Sequence, residues 1–438
     1  MFFKLKPKPA QRFMVLGIDG VPFELLHSFA ESGIMPQVKR CIDRYGMMRT
    51  QAPLPEISSV SWTSLMTGKN PGETGIFGFM ELNPDTYAYT FPSFKHLPVR
   101  TIWEELGDAG KRSVIINLPS TYTARPMKGI LVSGFVAPEL ERAVFPPSIF
   151  PMLKKMNYRV DADASRVQED KTAFLNTLND ILDTRWLCYQ KLERKENWDL
   201  CFFIITETDR LHHFFFDAVD NPQSPFYTAF IDFYKRLDII IGEIVHRMEK
   251  EGIPFVILSD HGFGKIKKEI YISQYLKQWG YLKLLGENPV NLMGMTPGTR
   301  AFALDPSRIY IHREGTYKRG QVKKEEVEPL RNELKERFLD LSVETKEGKE
   351  HVIRRVFDKE EIYEGPYLDQ APDLVLLSNP GFDLKSGVTK QTLNDKTFFE
   401  GMHTQDNAVL IDSFGLKLNP HPFIYEIGKR INAYFNLC

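Results

Sequence analysis

Short apolar runs recur along this chain, each halted by a small or charged residue and followed by a helical period. The first, Phe13-Met14-Val15-Leu16-Gly17-Ile18, stops at Asp19-Gly20. Phe23, Leu26 and Phe29 then keep helical spacing, and a second helical pattern covers 36–44. A short amphipathic helix is predicted over 101–109, leading through Gly110 into the strand Ser113 to Asn117. A further strand over Gly129 to Val132 precedes Ser133-Gly134-Phe135. A long helix over 171–195 leads to the strand 199–205, and another over 225–251 leads to Pro254-Phe255-Val256-Ile257-Leu258. Strands alternating with helices of this length predict an α/β fold, with a mostly parallel central sheet sandwiched by helices.

The texture changes after Lys265. From there to about Glu361 the chain is rich in Lys, Glu and Gly, with a charged helix over 323–337 and a polar loop over 344–350. This stretch is expected to be an inserted smaller lobe. The apolar run Asp373-Leu374-Val375-Leu376-Leu377 is read as the strand that returns the chain to the core. The expected organisation is core over 1–264, lobe over 265–369 and core again over 370–438.

Composition narrows the function classes. Residues are 42% apolar and 26% charged with a net charge of −1, so no charge bias favours a nucleic acid polymer or an anionic membrane. Runs such as Leu200 to Ile205 are far too short to cross a bilayer. Met1 to Gln11 has no apolar segment before a cleavage site, so no signal peptide is expected. Cys41, Cys188, Cys201 and Cys438 form no CxxC pair, and the middle two are expected to be buried thiols. A cytoplasmic protein is expected.

Candidate chemistry sits where the apolar runs stop. In open α/β sheets ligands bind at the carboxyl ends of strands, and there the chain places Asp19 and, in Ser259-Asp260-His261-Gly262-Phe263, Asp260 and His261. Asp19 could equally cap the next helix. Thr206-Glu207-Thr208-Asp209-Arg210-Leu211-His212-His213 follows another strand. On a helix Asp209 and His213 would project from one face and could grip one ion, or form a surface pair, while His212 points elsewhere. Gly401-Met402-His403-Thr404 adds a histidine in a loop. Ser58 or Ser59 opens a predicted helix ending at Thr67-Gly68; either would serve as an N-cap, or as a nucleophile where the helix dipole favours anions.

Taken in order, these segments resemble the alkaline phosphatase superfamily, in particular its type I phosphodiesterase/nucleotide pyrophosphatase branch and the group of predicted phosphohydrolases or phosphomutases within it. The resemblance rests on Gly17-Ile18-Asp19-Gly20, Ser61 to Gly72, Thr208-Asp209-Arg210 with His213, Ser259 to Phe263, and His403. It implies two divalent ions. Asp209, His213 and His403 would hold one; Asp19, Asp260, His261 and a nucleophile, here Ser58, would hold the other. Nitrogen and oxygen donors without thiolate suit Zn²⁺ or Mn²⁺. The implied reaction is hydrolysis of a small phosphate ester, diester or monoester, through a phosphoseryl intermediate.

Two positions depart from the family. Thr74 stands where relatives often carry His, at a position that is not a ligand. Phe79 stands where nucleotide pyrophosphatases place a phosphate-contacting Asn, which argues against nucleotide diesters. A phosphomutase like the cofactor-independent phosphoglycerate mutases is the alternative, with Lys265, Lys267, Lys268, Lys318 and Arg319 as cations of an enclosing lobe. No Cys/Ser-x-Pro-x-Arg segment points to a sulfatase, and no membrane span points to a phosphoethanolamine transferase.

Overall fold

The computed structural model describes residues 11–286 and 289–436; the stretch from Met1 to Ala10 and Cys438 lie outside the described residues. At its centre is an eight-stranded sheet. Across it run Met48–Thr50, Ala408–Asp412, Phe255–Leu258, Phe13–Ile18, Leu200–Ile205, Ser113–Leu118, Gly129–Ser133 and Val144–Phe145. The inner strands from Phe255–Leu258 to Gly129–Ser133 are parallel, and antiparallel strands close both edges. The α/β sandwich expected from the alternating pattern is the fold observed.

Side-chain alternation along the strands explains why both faces are covered. From Phe13–Ile18, the residues Met14, Leu16 and Ile18 enter one apolar core, together with the helices Phe23–Glu31, Lys171–Lys195 and Tyr227–Glu251. Phe13 and Val15 enter the other, against Ser58–Thr67, Ile102–Asp108 and Ile424–Tyr434. Burying each large apolar side chain contributes roughly 1.5–3 kcal/mol, so these strands form a rigid platform. Their register is level, with Ile18 beside Ile205 and Gly17 beside Leu258. Three adjacent strands therefore end together at one edge of the sheet.

The lobe is larger than its charge texture indicated. Ala301–Leu304, Arg308–Ile311, Leu374–Ser378 and Ile353–Asp358 form an antiparallel four-stranded sheet. Leu374–Ser378, expected to re-enter the core, is thus a lobe strand. Phe382–Lys385 and Asn394–Asp395 flank Lys268–Tyr271 in a further small sheet. An apolar run shows that a strand is buried, not which sheet buries it. The chain pairs with core strands again only at Gly401–Thr404 and Ala408–Asp412. The polar loop expected over 344–350 belongs to a hairpin, Ser342–Thr345 with Gly348–His351. Cys41, Cys188 and Cys201 are buried free thiols. Among the described residues no helix is long and apolar enough to cross a membrane.

Candidate active site

Asp19 follows the central strand and is 2% exposed. Its turn needs Gly20, whose φ is +65° and where an added Cβ would lie 2.9 Å from the Phe263 ring. The Gly20 N–H donates to Asp260 Oδ1 at 3.1 Å, so the ends of neighbouring strands are tied together. Trp62 Nε1–H donates to Asp19 Oδ2 at 2.9 Å, and the Thr208 hydroxyl donates to the Asp19 carbonyl at 2.6 Å. Gly17 makes room for Trp62: a Cβ there would stand 2.5 Å from the indole.

Ser58 is the first residue of the helix Ser58–Thr67, and Ile57 occupies the N-cap with no side-chain capping bond. The capping role open to Ser58 or Ser59 is therefore not taken. The Ser58 hydroxyl instead lies 3.2 Å from Asp19 Oδ1 and 3.1 Å from His261 Nε2. It stands in the first helical turn, at the positive end of the helix dipole, where negative charge is stabilised.

Two groups of potential ligands gather at this edge, Asp19 with Asp260 and His261, and Asp209 with His213 and His403. In the first, His261 Nε2 lies 3.6 Å from Asp19 Oδ1 and 3.4 Å from Asp260 Oδ2. In the second, Asp209 Oδ1 lies 3.4 Å from His213 Nε2 and 3.1 Å from His403 Nε2. Asp209 and His213 share one face of the helix Glu207–Phe215. His403 arrives from elsewhere: Gly401–Thr404 pairs antiparallel with Gly262–Lys265, placing His403 opposite Phe263. His403 also stacks on His261 with ring centroids 3.8 Å apart, which joins the two groups.

The hydrogen bonds of the imidazoles separate three candidate ligands from a packing residue. His213, His261 and His403 each direct Nδ1 to a backbone carbonyl, of Gly401, Gly262 and Glu56, at 3.1, 3.0 and 3.0 Å. A carbonyl only accepts, so Nδ1 carries the proton and Nε2 faces the carboxylates. His212 spends both nitrogens on the protein, 2.9 Å from the Gly20 carbonyl and 2.6 Å from the Tyr234 hydroxyl, and is a packing residue.

The electrostatics of the two groups differ. Burial, with Asp260 and Asp209 nearby, pushes Asp19 well above the usual carboxylate range, and burial pushes Asp260 up to about 7. Burial would also raise Asp209, but His213, His403 and Arg210 outweigh it and hold that carboxyl well below its ordinary value. Burial drives His261 and His213 down to about 3, and Asp209 raises His403 against its burial. Asp260 Oδ2 is buried with no hydrogen-bond partner among the described residues. Crowded carboxylates, an orphaned oxygen and outward-facing Nε2 atoms, with no sulfur, form a donor set that fits divalent cations.

A cavity of about 130 Å³ opens onto both groups and onto Ser58. It adjoins a second of about 440 Å³ that His213 and His403 also line, walled on its far side by lobe residues including Ser307, Asp383 and Lys385. The lobe cations Lys265, Lys267, Lys268, Lys318 and Arg319 line neither cavity. Lys265 pairs with Asp217, and Lys267 with Glu347 and Glu350.

The candidate ligands are legible in the sequence, but not the residues that hold them in place. Arg185 donates to Glu207 Oε1 at 2.7 Å, to Tyr158 at 2.6 Å and to the Val160 carbonyl at 2.9 Å, anchoring the ligand-bearing helix at its first residue. Asp161 grips Arg210 with both oxygens, at 3.0 and 2.6 Å. Neither Asp161 nor Arg185 carries a signal in its local sequence. Trp62 and Arg210 stood inside recognised segments without an assigned role.

No curated protein matches the chain at the level of sequence. Among solved structures, it resembles phosphonoacetate hydrolase from Sinorhizobium meliloti 1021 in complex with phosphonoformate, at 18% identity and TM-score 0.66, over 97% of this chain and 96% of that one. It also resembles ectonucleotide pyrophosphatase / phosphodiesterase 5. The murine protein, in an inactive form in complex with AMP, shares 13% identity at TM-score 0.55, and the human protein 14% at 0.56; each match covers 98% of this chain and 96% of the other. The model of one family, type I phosphodiesterase / nucleotide pyrophosphatase, matches residues 13–406, which span every residue of both ligand groups and Ser58. The chain belongs to the type I phosphodiesterase / nucleotide pyrophosphatase family, in the alkaline phosphatase superfamily.

Proposed function

We propose that this protein is a bimetal-dependent phosphoric ester hydrolase that works through a phosphoseryl intermediate on Ser58. The observation that carries the reading is the Ser58 hydroxyl, 3.2 Å from Asp19 Oδ1 and 3.1 Å from His261 Nε2, beside a second ligand group stacked on the first. Asp19, Asp260 and His261, with Ser58, would hold one divalent ion, and Asp209, His213 and His403 the other. Zn²⁺ and Mn²⁺ both accept this nitrogen and oxygen set. When bound, such a pair supplies Lewis acidity to the phosphoryl oxygens and eases ionisation of the serine.

The chain's own residues do the remaining work. Trp62 and Gly20 fix the carboxylates of Asp19 and Asp260, holding Asp19 beside Ser58 and Asp260 beside His261. Ser58 Oγ forms a bond to phosphorus as the ester bond to the leaving alcohol breaks. The first-turn N–H groups of its helix stabilise the charge that develops beside it. Water then breaks the Ser58 Oγ–phosphorus bond, giving its hydroxyl to phosphorus and a proton back to Oγ, and the product leaves as phosphate, or as the monoester where the substrate is a diester. The 440 Å³ cavity beside His213 and His403 gives the leaving alcohol of a small ester a place to reside. A cytoplasmic small-molecule ester fits this reading, and the phosphonoacetate hydrolase neighbour adds phosphonates to the substrates worth assaying.

Ser58→Ala should abolish turnover of nitrophenyl phosphate while both metal sites stay filled. Full activity in that variant would remove the nucleophile assignment. Parallel assays with Zn²⁺ and with Mn²⁺ identify the working ion.

A further inference from the structure

The cavity over Ser58 has a single guanidinium in its wall among the described residues, that of Arg210. We propose that Arg210 binds a non-bridging oxygen of the transferred group and thereby selects a terminal phosphoryl or phosphonyl group over a diester. This rests on the reading of the chain as a phosphoric ester hydrolase and narrows its substrate class.

The side chain is built into place. Asp161 accepts from Nε and Nη2 at 3.0 and 2.6 Å, a two-pronged grip that fixes the plane of the guanidinium. Nη1 reaches Asp209 Oδ2 at 3.3 Å. Of the five N–H groups of an arginine, three have partners among the described residues, leaving two for a ligand. The Phe135 ring lies under the guanidinium, 4.6 Å from its carbon, and Phe79 packs edge-on against Phe135 at 5.5 Å. Both rings line the same cavity and offer no hydrogen-bond donor. The arginine is thus a charged donor held by Asp161 in the wall of the cavity that Ser58 and Asp19 also line.

Such a donor discriminates by charge. A terminal phosphoryl group carries close to two negative charges near neutral pH and always presents a free oxygen toward the arginine. A diester carries one charge, and one of its non-bridging positions is replaced by a neutral ester oxygen and its carbon. Charge-assisted bonds to an anionic oxygen are about twice as strong as neutral ones, and Asp161 has already fixed the geometry, so little ordering remains at the moment of reaction.

The test compares kcat/KM on nitrophenyl phosphate and on bis-nitrophenyl phosphate, with metal content, in the metal-loaded wild type, Arg210→Ala, Arg210→Lys and Asp161→Asn. Affinity for inorganic phosphate is measured alongside by calorimetry. The wild type should prefer the monoester. Arg210→Ala should lose about 10²–10³-fold on the monoester but less than about tenfold on the diester, and should bind phosphate at least about tenfold more weakly. Arg210→Lys should recover little, because an ammonium cannot use the Asp161 grip. Asp161→Asn should erode the same preference to a smaller degree.

Equal losses on both esters with unchanged phosphate affinity would overturn the inference. If Arg210→Ala sheds metal through Asp209, Asp161→Asn decides, since it leaves the arginine beside Asp209: an unaltered preference and phosphate affinity there overturns it as well. A wild type that turns over neither ester, yet loses phosphate affinity in Arg210→Ala, would sink the hydrolase reading and leave the arginine's contact standing. Turnover of both esters with phosphate affinity indifferent to Arg210 would do the reverse.

Discussion

The two ligand groups meet at one stacked histidine pair but are built on different principles. Asp19, Asp260 and His261 continue adjacent central strands and are at most 2% exposed. Their geometry is set by the core, and among the described residues the two crowded carboxylates there pair with no Lys or Arg, Arg210 acting on Asp19 only from a distance. Asp209, His213 and His403 come from a helix and a two-stranded ribbon and open toward the lobe. There one carboxylate is balanced by Arg210 and two imidazoles. The first group is positioned by the fold and short of positive charge; the second is near charge balance and positioned by docking. The first should therefore hold its ion more tightly and tolerate less change.

Breaking the first group should have the largest effect. Ser58→Ala is expected to cost on the order of 10⁴-fold or more in kcat with two ions retained per chain; loss of an ion as well would make Ser58 chiefly a ligand. His403→Ala breaks the second group, and elemental analysis should find one ion per chain, with activity down about 10²-fold or more. If both ions remain, His403 leaves the site. Trp62→Phe keeps the packing of the ring but removes the donor to Asp19 Oδ2. It should cost about 10–100-fold in activity, with little change in melting temperature. Gly17→Ala acts on the same element sterically, pressing on Trp62, and should destabilise the fold by about 1–3 kcal/mol; an unchanged melting curve would mean that the indole yields freely.

The same contrast explains what could be read in advance. Asp19, Asp260 and His261 are legible because the apolar run that makes a buried strand also ends at the ligand, so one local pattern gives both the element and the site. His403 has no such mark. Its place depends on pairing across a gap of more than a hundred residues, with Phe263 as its partner, and only the ordered set of family segments pointed to it. Ser58 was open between capping and chemistry because N-cap preference is local, whereas its hydroxyl turns toward Asp19 and His261, residues far away in sequence. Leu374–Ser378 reads as the return to the core yet pairs in the four-stranded sheet, because hydrophobicity reports burial but not neighbours. Arg210 was quoted without a role because its grip, Asp161, lies 49 residues away on a different segment.

The ribbon that carries His403 has a consequence for how the two groups stay in register. Lys265 pairs with Gly401, so the segment between them, which builds most of the lobe, leaves and returns through a two-stranded stem, and it is tied down elsewhere by Tyr363 on the Leu54 carbonyl and Arg308 on Glu81. One strand of that stem begins directly after Asp260 and His261, and the other carries His403. The lobe is in effect the loop of a very long hairpin whose base carries candidate ligands of both groups. Any change that parts the two strands of that base would part His403 from His261 directly.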